Sequence, residues 1–382
     1  MAETRKKTDN PLQIEVVKKY AAAIFYLYLF LLAITMMGTG LESFKSFAEE
    51  LLKTARNPVL GLFIGLLVTA IVQSSSCVTS IIVVLCGSGL ITIEDSIPMI
   101  MGSNIGTSVT NTLVSIGYFR IRAEFRRAAI ASTVHDFFNI LTVIILFPIQ
   151  ITTNFLGEIA QYFADKFFGI GALSFISPIK VITHPVVSSV KKGLGWWGFG
   201  SNGVAIFMTV FGLFVLFVAL ILLTRTLGEY LIDKIASAFD KILGRSGYLC
   251  LLVGMVVTAI IQSSSVVTSL LVPLAASGVA TIEQIYPITL GANIGTTITA
   301  VLASLAAGNV LAITAAFSHT LFNLIGVLIF FVIKPARRIP ISLATFLGNK
   351  CSRRKYLLPL YIIIVFFLIP ILVILISRVV GD

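Results

Sequence analysis

The stretch TAIVQSSSCVTS at residues 69–80 returns as TAIIQSSSVVTS at residues 258–269. At the same spacing, GSNIGTS at residues 102–108 returns as GANIGTT at residues 291–297. More than half of the positions from 69 to 115 are identical in the second copy, and after a small shift HDFFN at 135–139 corresponds to HTLFN at 319–323. Self-similarity of this kind indicates a duplicated structural unit.

The repeat lies in a very apolar chain. Of the 382 residues, 57% are hydrophobic and 12% are charged, and the mean hydropathy is +1.01. Soluble domains carry about 25% charged residues, and single soluble cores stop growing near roughly 250–300 residues. The composition excludes a soluble enzyme, a disordered chain and a secreted disulfide scaffold. It predicts an all-α polytopic membrane protein.

Seven windows are long and apolar enough to cross a bilayer, which takes about 20 residues. They lie near residues 20–41, 98–117, 128–151, 204–224, 287–306, 310–333 and 358–377. The stretches 58–86 and 246–276 are each split by a QSSS block, and they fit re-entrant hairpins of two half-length helices, which need protein or water around them. Gly102 and Gly106, with Gly291 and Gly295, predict that the windows 98–117 and 287–306 are interrupted helices.

The basic residues predict the orientation, because cytoplasmic segments are enriched in Lys and Arg. Seven crossings with the N-terminus inside place 20 of the 28 Lys and Arg residues in the segments 1–19, 118–127, 225–245 and 334–355. The net charge of +11 therefore indicates membrane topology, with no nucleic acid partner. The domain prediction is a cytoplasmic tail (1–19), repeat 1 (20–151), an extracytoplasmic connecting loop (152–203), repeat 2 (204–333), and a basic cytoplasmic segment with a C-terminal transmembrane helix (334–382).

The two copies differ in one loop. Residues 120–127 of the first copy carry four arginines, whereas the corresponding residues 306–309 carry no charge. Corresponding loops of opposite charge character are expected on opposite sides of the bilayer. The sequence thus predicts two inverted repeats, the arrangement in which many secondary transporters place a binding site at the membrane midplane.

The repeated motifs place amides and hydroxyls at membrane depth, where each unsatisfied polar group costs several kcal/mol. One serine could bond back to its own helix, but a Gln and three consecutive serines cannot all do so. We therefore expect a broken turn that offers oxygens and backbone groups to a ligand. That ligand is a hard monovalent cation held by neutral oxygens, or an anion held at half-helix N-termini. Asp136 is the only acidic residue placed inside a span, which makes it a functional candidate.

These motifs, together with EFRR at 124–127 and VHDFFN at 134–139, resemble the type II sodium–phosphate cotransporter family in its short bacterial form. The resemblance runs from about Pro58 to Gly326. It implies an inverted-repeat symporter of the bacterial inner (plasma) membrane that moves inorganic phosphate inward with Na⁺ as the coupling ion. It also implies that Asp136 marks an electrogenic member with an additional Na⁺ site.

The resemblance implies two sets of site residues. The phosphate candidates are Ser74, Ser75, Ser76, Ser263, Ser264, Ser265, Asn104 and Asn293. The Na⁺ candidates are Gln73, Gln262, Thr107, Ser108, Thr112, Asp136, Asn139, Thr296, Thr297, Thr299 and Asn323.

Other functions remain open from the residues alone. A passive ion or anion channel could use the same repeat, as could a Na⁺-coupled carrier of another small oxyanion. A regulatory scaffold without transport is a third reading, although it gives no reason to keep the Gln and all three serines in both copies. An enzyme is disfavoured because the sequence offers no clustered nucleophile, base and orienting group. The sequence does not indicate an oligomeric state.

Overall fold

The computed structural model describes residues 11–43, 57–167 and 173–380, and within these ranges every regular element is a helix. Residues 1–10 of the predicted cytoplasmic tail and residues 381–382 of the predicted C-terminal unit lie outside the described residues. The first half contains α1 (Pro11–Glu42), α2 (Pro58–Val72), α3 (Ser75–Gly87), α4 (Ile93–Thr107), α5 (Val109–Ile116) and α6 (Arg122–Thr153).

Two further helices, α7 (Phe155–Phe167) and α8 (Leu173–Trp196), connect the halves. The second half contains α9 (Ser201–Ile242), α10 (Gly247–Ile261), α11 (Ser264–Ser277), α12 (Ile282–Gly295), α13 (Thr297–Ala307) and α14 (Val310–Val327), which continues into the π-helical turn Leu328–Val332. The chain then forms α15 (Lys334–Arg353), α16 (Leu357–Ile362) with the π-helical segment Ile363–Leu368, and α17 (Ile369–Val380).

Six helical stretches of the described chain are long and apolar enough to cross a membrane. They are Glu15–Glu42, Arg122–Thr153, Ser201–Leu231, Ile282–Ala307, Val310–Val332 and Leu357–Ser377. Each corresponds to one of the seven predicted crossings. The seventh window, 98–117, is divided between α4 and α5 at Ser108, just as Ile282–Ala307 is divided between α12 and α13 at Thr296. The prediction of an all-α polytopic membrane protein is confirmed.

The QSSS blocks form the turns between short helices. Gln73 adopts a left-handed conformation with φ 56° and ends α2, and Ser74 then caps α3 by accepting a hydrogen bond from the Cys77 N–H. Gln262, with φ 63°, and Ser263 do the same between α10 and α11. Helices of 13 to 15 residues are about 20–22 Å long. They are therefore shorter than the hydrocarbon core of about 30 Å.

The repeated glycines serve close packing rather than unwinding. A Cβ on Gly102 would lie 1.8 Å from the Leu62 carbonyl oxygen of α2, and one on Gly291 would lie 1.9 Å from the Leu251 carbonyl oxygen of α10. Helices that approach this closely need small residues at the contact. The helices continue through both glycines, and the interruptions fall later, at Ser108 and Thr296.

The two halves pack against each other reciprocally. Helix α3 of the first half contacts α13 and α14 of the second, and α11 contacts α5 and α6 of the first. The loops cap these helices in the same crossed manner. Arg127 at the start of α6 donates to the carbonyl oxygens of Ala275 and Ala276 at the end of α11. Asn309 Nδ2 donates to the Gly87 carbonyl oxygen at the end of α3 over 2.8 Å.

Two segments outside the halves are helical where the sequence analysis did not specify helices. Within the stretch 152–203, predicted as a connecting loop, residues 155–167 form α7 and residues 173–196 form α8, which contains Pro178 and Pro185; residues 168–172 lie outside the described residues. The basic segment 334–355 is mostly the single helix α15, which packs along α6.

Candidate functional site

A cavity of about 580 Å³ lies where the two QSSS turns face α9. Four of the predicted phosphate residues line it, namely Ser74, Ser76, Ser263 and Ser265. Gln73 and Gln262 line it as well. The middle serines, Ser75 and Ser264, are buried and do not line the cavity.

Two helix N-termini meet at this cavity, because α3 begins at Ser75 and α11 begins at Ser264. The first N–H groups of a helix lack intrahelical acceptors, and the macrodipole places about half a positive charge there. The serine caps each take one of these donors, at 3.3 Å for the Cys77 N–H and 3.4 Å for the Val266 N–H. The remaining donors and the serine hydroxyls give the cavity the chemistry of an anion site.

A cluster of neutral oxygens joins the two halves at the same place. Ser76 Oγ donates to the Gln262 carbonyl oxygen over 3.2 Å and lies 3.2 Å from Thr296 Oγ1. Thr299 Oγ1 donates to Gln262 Oε1 over 2.7 Å. All four side chains are buried. Hydroxyl, carbonyl and amide oxygens are the ligands that hard cations prefer.

The corresponding positions of the other copy are arranged differently. Gln73 is exposed, and Thr107 Oγ1 donates to the Ser103 carbonyl oxygen of its own helix over 2.9 Å. Thr110, which corresponds to Thr299, lines the cavity with a buried hydroxyl that has no hydrogen-bond partner among the described residues. The duplicated sequence therefore forms one closed oxygen cluster and one open counterpart.

Asp136 lies in the middle of α6 and is fully buried. Thr112 Oγ1 donates to its Oδ2 over 3.3 Å. Its Oδ1 has no hydrogen-bond partner among the described residues, and the hydroxyl groups of Ser108 and Tyr361 lie beside the carboxyl group. A buried carboxylate surrounded by hydroxyls is a second place where a cation would be favourable, because a buried charge is costly without a partner.

The remaining amide candidates form a chain between the halves. Asn139 Nδ2 donates to the Asn104 carbonyl oxygen over 2.8 Å, and Asn293 Nδ2 donates to Asn139 Oδ1 over 2.7 Å. His135 Nε2 lies 2.8 Å from Asn293 Oδ1, and Asn323 Nδ2 lies 3.4 Å from Asn104 Oδ1. Asn104 and Asn293, predicted for phosphate, thus lie in this chain and not at the cavity. Asn139 and Asn323, predicted for Na⁺, lie in it too.

Two candidate hydroxyls are used by their own helices. Ser108 Oγ donates to the Ile105 carbonyl oxygen over 2.9 Å, and Thr297 Oγ1 donates to the Ile294 carbonyl oxygen over 2.8 Å. Ser108 remains close to the Asp136 carboxyl group, whereas the Thr297 hydroxyl makes no further hydrogen bond among the described residues.

A family model described as Na⁺/Pi-cotransporter matches residues 29–175 and 204–347, which hold both QSSS turns and every candidate residue. The chain belongs to this family. Sodium-dependent phosphate transport protein 2B of Homo sapiens is 34% identical over 404 residues, covering 83% of this chain and 58% of the human protein. Sodium-dependent phosphate transport protein 2A of Rattus norvegicus is 33% identical over 420 residues, covering 91% of this chain and 66% of the rat protein.

The chain spans less than two thirds of the length of these two relatives. No solved structure matches it. Among the described residues, no group of three or more His, Cys, Asp or Glu side chains could hold a metal ion. The candidate cation ligands are therefore neutral oxygens and the single carboxylate of Asp136.

Sequence reasoning missed several residues of these clusters. The repeat could have identified Thr110, since it corresponds to the candidate Thr299. Asn111 was visible as an amide inside an apolar window; its Oδ1 accepts from Thr268 over 2.9 Å and from Ser269 over 3.1 Å. Tyr361 carries no local signal, because only the packing of α16 places its hydroxyl beside Asp136.

Proposed function

We propose that the protein is a Na⁺-coupled symporter of inorganic phosphate. The carrying observation is the convergence of two helix N-termini and their serine caps on one cavity, next to a cluster of neutral oxygens. The names of the relatives, which are sodium-dependent phosphate transport proteins, support the same substrates.

Phosphate is proposed to bind at the serines that line the cavity, with Ser75 and Ser264 contributing their first-turn N–H groups. Helix N-termini bind anions without any nearby Lys or Arg, because N–H donors and the macrodipole supply the positive potential. Arg225 on α9 also lines the cavity, where its Nε donates to Glu229 Oε1 over 2.8 Å. We infer that this exposed pair lies at the mouth and that Arg225 attracts the anion toward the turns.

Coupling is proposed to occur through the hydroxyl protons of the oxygen cluster. In the structure, the hydroxyl groups of Ser76 and Thr299 donate hydrogen bonds to oxygens of Gln262. A cation that binds the oxygens of Gln262 competes with the two hydroxyls for oxygen lone pairs, which favours turning each O–H bond toward another acceptor. For Ser76 the available acceptor is an anion in the cavity. Na⁺ at Gln262 therefore prepares the serine to donate to phosphate.

The topology is proposed to be two inverted repeats with re-entrant QSSS hairpins. The crossed packing and crossed capping of α3 and α11 support this arrangement, since a two-fold relation between the halves produces such contacts in pairs. With the basic segments facing the cytoplasm, the N-terminus is inside and the cavity mouth at Arg225 opens inward. The proposed location is the bacterial inner membrane, as the resemblance to the short bacterial form of the family implies.

Asp136 is proposed to form an additional Na⁺ site with Thr112 and Ser108, which makes transport electrogenic. One net charge moving through 100 mV contributes about 2.3 kcal/mol, which supports roughly fiftyfold accumulation of phosphate.

The test is uptake of radiolabelled phosphate into proteoliposomes with simultaneous recording of current. We expect uptake that depends on an inward Na⁺ gradient, saturates, and carries net positive charge. Equal uptake with inward, outward or absent Na⁺ gradients would reject coupling, and single-channel currents would favour a channel. Stronger competition by another oxyanion, such as sulfate, than by unlabelled phosphate would reassign the substrate.

A further inference from the structure

Another cavity, of about 550 Å³, shares no lining residue with the cavity at the QSSS turns. It is formed by the beginning of α6 and the end of α15, and it is lined by Arg122, Ala123, Arg126, Asn349, Ser352 and Arg353. Three of its six lining residues are arginines and none is acidic. We call it the arginine pocket.

The walls of the arginine pocket are firmly packed. A Cβ on Gly348 would lie 2.4 Å from Ile130 Cγ1 and 3.2 Å from the Arg126 carbonyl oxygen, so α6 and α15 are in close contact. Below the pocket, Phe125 and Cys351 are fully buried in one apolar cluster. The pocket therefore lies between two helices whose relative position is fixed by packing.

One of the arginines is held in place by a side-chain contact. Arg126 Nε donates to Asn349 Oδ1 over 2.6 Å, which fixes the plane of the guanidinium group. No carboxylate forms a salt bridge with any of the three pocket arginines within the part of the chain that the structure describes. The α6 N-terminus adds its partial positive charge to the same place.

This arrangement exceeds what membrane orientation requires. Orientation depends on the number of Lys and Arg residues near the ends of spans and not on their convergence. Three guanidinium groups around one cavity repel one another, and an anion between them removes that repulsion. The planar fork of a guanidinium group matches phosphate oxygens in a bidentate manner.

We propose that the arginine pocket binds a phosphate-bearing anion, either the headgroup of an anionic membrane lipid or free inorganic phosphate. The chemistry is shared by both sources, and it does not depend on the transport function. Only binding of free phosphate would be related to transport. In that case the pocket would bind the transported phosphate on the side of the membrane where it is released.

The surroundings place the pocket at the level of lipid headgroups. Helix α15 exposes the apolar side chains Ile339 (47%) and Phe346 (62%), and Lys350 Nζ lies 5.4 Å from the centre of the Phe346 ring. A helix with exposed apolar and basic side chains is suited to the membrane interface. Basic groups at that depth attract anionic lipids.

The test compares two pairs of substitutions that remove equal charge from the same two segments. The pocket pair is Arg126→Gln with Arg353→Gln. The matched control pair is Arg120→Gln with Arg354→Gln, both exposed and outside the pocket. Native mass spectrometry of the full chain measures retained phosphatidylglycerol against phosphatidylcholine. A second arm measures the thermal shift caused by potassium phosphate in Na⁺-free buffer, where the coupled site is not engaged.

We expect the pocket pair to bind the phosphate-bearing probe at least about tenfold more weakly than the unsubstituted protein, as for the loss of hydrogen bonds to a charged group. The control pair should bind the probe as the unsubstituted protein does. A loss in the lipid arm assigns the headgroup, and a loss in the potassium phosphate arm assigns free phosphate. The pair Arg126→Lys with Arg353→Lys keeps the charge and the fold but removes the fork, and it should lose about threefold or more. Equal binding by the pocket, lysine and control pairs in both arms would overturn the proposal.

Discussion

Replacement of Gln262 by alanine should weaken Na⁺ dependence more than the same change at Gln73. The two glutamines occupy equivalent places in the repeat, yet only Gln262 belongs to a closed oxygen cluster. Its Oε1 accepts from Thr299 Oγ1 over 2.7 Å, and its carbonyl oxygen accepts from Ser76 Oγ over 3.2 Å. The Gln73 side chain is exposed and makes no hydrogen bond among the described residues.

The magnitude follows from the oxygen that is lost. We take the contact of one neutral oxygen with Na⁺ to contribute about as much as one net hydrogen bond, which is about 0.5–1.5 kcal/mol. Loss of the Gln262 Oε1 ligand should therefore raise the half-saturating Na⁺ concentration roughly 2- to 12-fold. The Gln73→Ala variant, which loses an exposed side chain, should change it by less than about twofold.

A backbone control separates the side chain from the turn. Gln262 has φ 63°, a conformation that costs non-glycine residues about 1–2 kcal/mol. Gln262→Gly relieves this cost while removing the same side chain as Gln262→Ala. If the amide oxygen binds Na⁺, both variants lose a similar amount of Na⁺ affinity, measured by radiolabelled phosphate uptake against external Na⁺ at fixed voltage. A similar shift at Gln73, or an unchanged Na⁺ dependence in Gln262→Ala, would refute the assignment.

Three further predictions address other parts of the protein. Asp136→Gly should abolish net current while part of the phosphate uptake remains, and unchanged charge movement per phosphate would contradict its role. Gly291→Ala places a Cβ 1.9 Å from the Leu251 carbonyl oxygen and should lower the free energy of unfolding by about 1–3 kcal/mol, seen as a lower melting temperature. The control Gly193→Ala has open space around the new Cβ and should leave the melting temperature unchanged or raise it. Arg225→Gln should raise the half-saturating phosphate concentration about two- to fivefold at low ionic strength, and no effect at any ionic strength would remove Arg225 from the entry route.

Hydropathy and the repeat predicted most of the architecture, because the bilayer admits few arrangements of backbone. The polar QSSS blocks could only be turns, and the structure has left-handed Gln73 and Gln262 there. The connection 152–203 was less accessible to this reasoning. Its helices are less apolar than a span, and the prolines in α8 are typical of loops in soluble chains.

The candidate residues could be listed from the sequence, but the contacts that they make with one another could not. Ser74, Ser76 and Ser263 line the cavity, and their motif indicated this. Asn104 and Asn293 belong to equally repeated motifs, but they lie in an amide chain and do not line the cavity. Which repeated polar groups face the ligand depends on how the halves cross, and no local pattern carries that information.

The two cation candidates differ in how they would respond to motion. Thr112 and Asp136 belong to the same half, so their contact survives any movement of one half against the other. Ser76 and Gln262 belong to different halves, so their contact exists only when the QSSS turns are close. Asp136 has Thr320 as its counterpart, which confines the carboxylate to one half. If both proposed cation sites are occupied, a transport cycle that separates the turns would release the cation of the neutral cluster while the carboxylate site stays assembled.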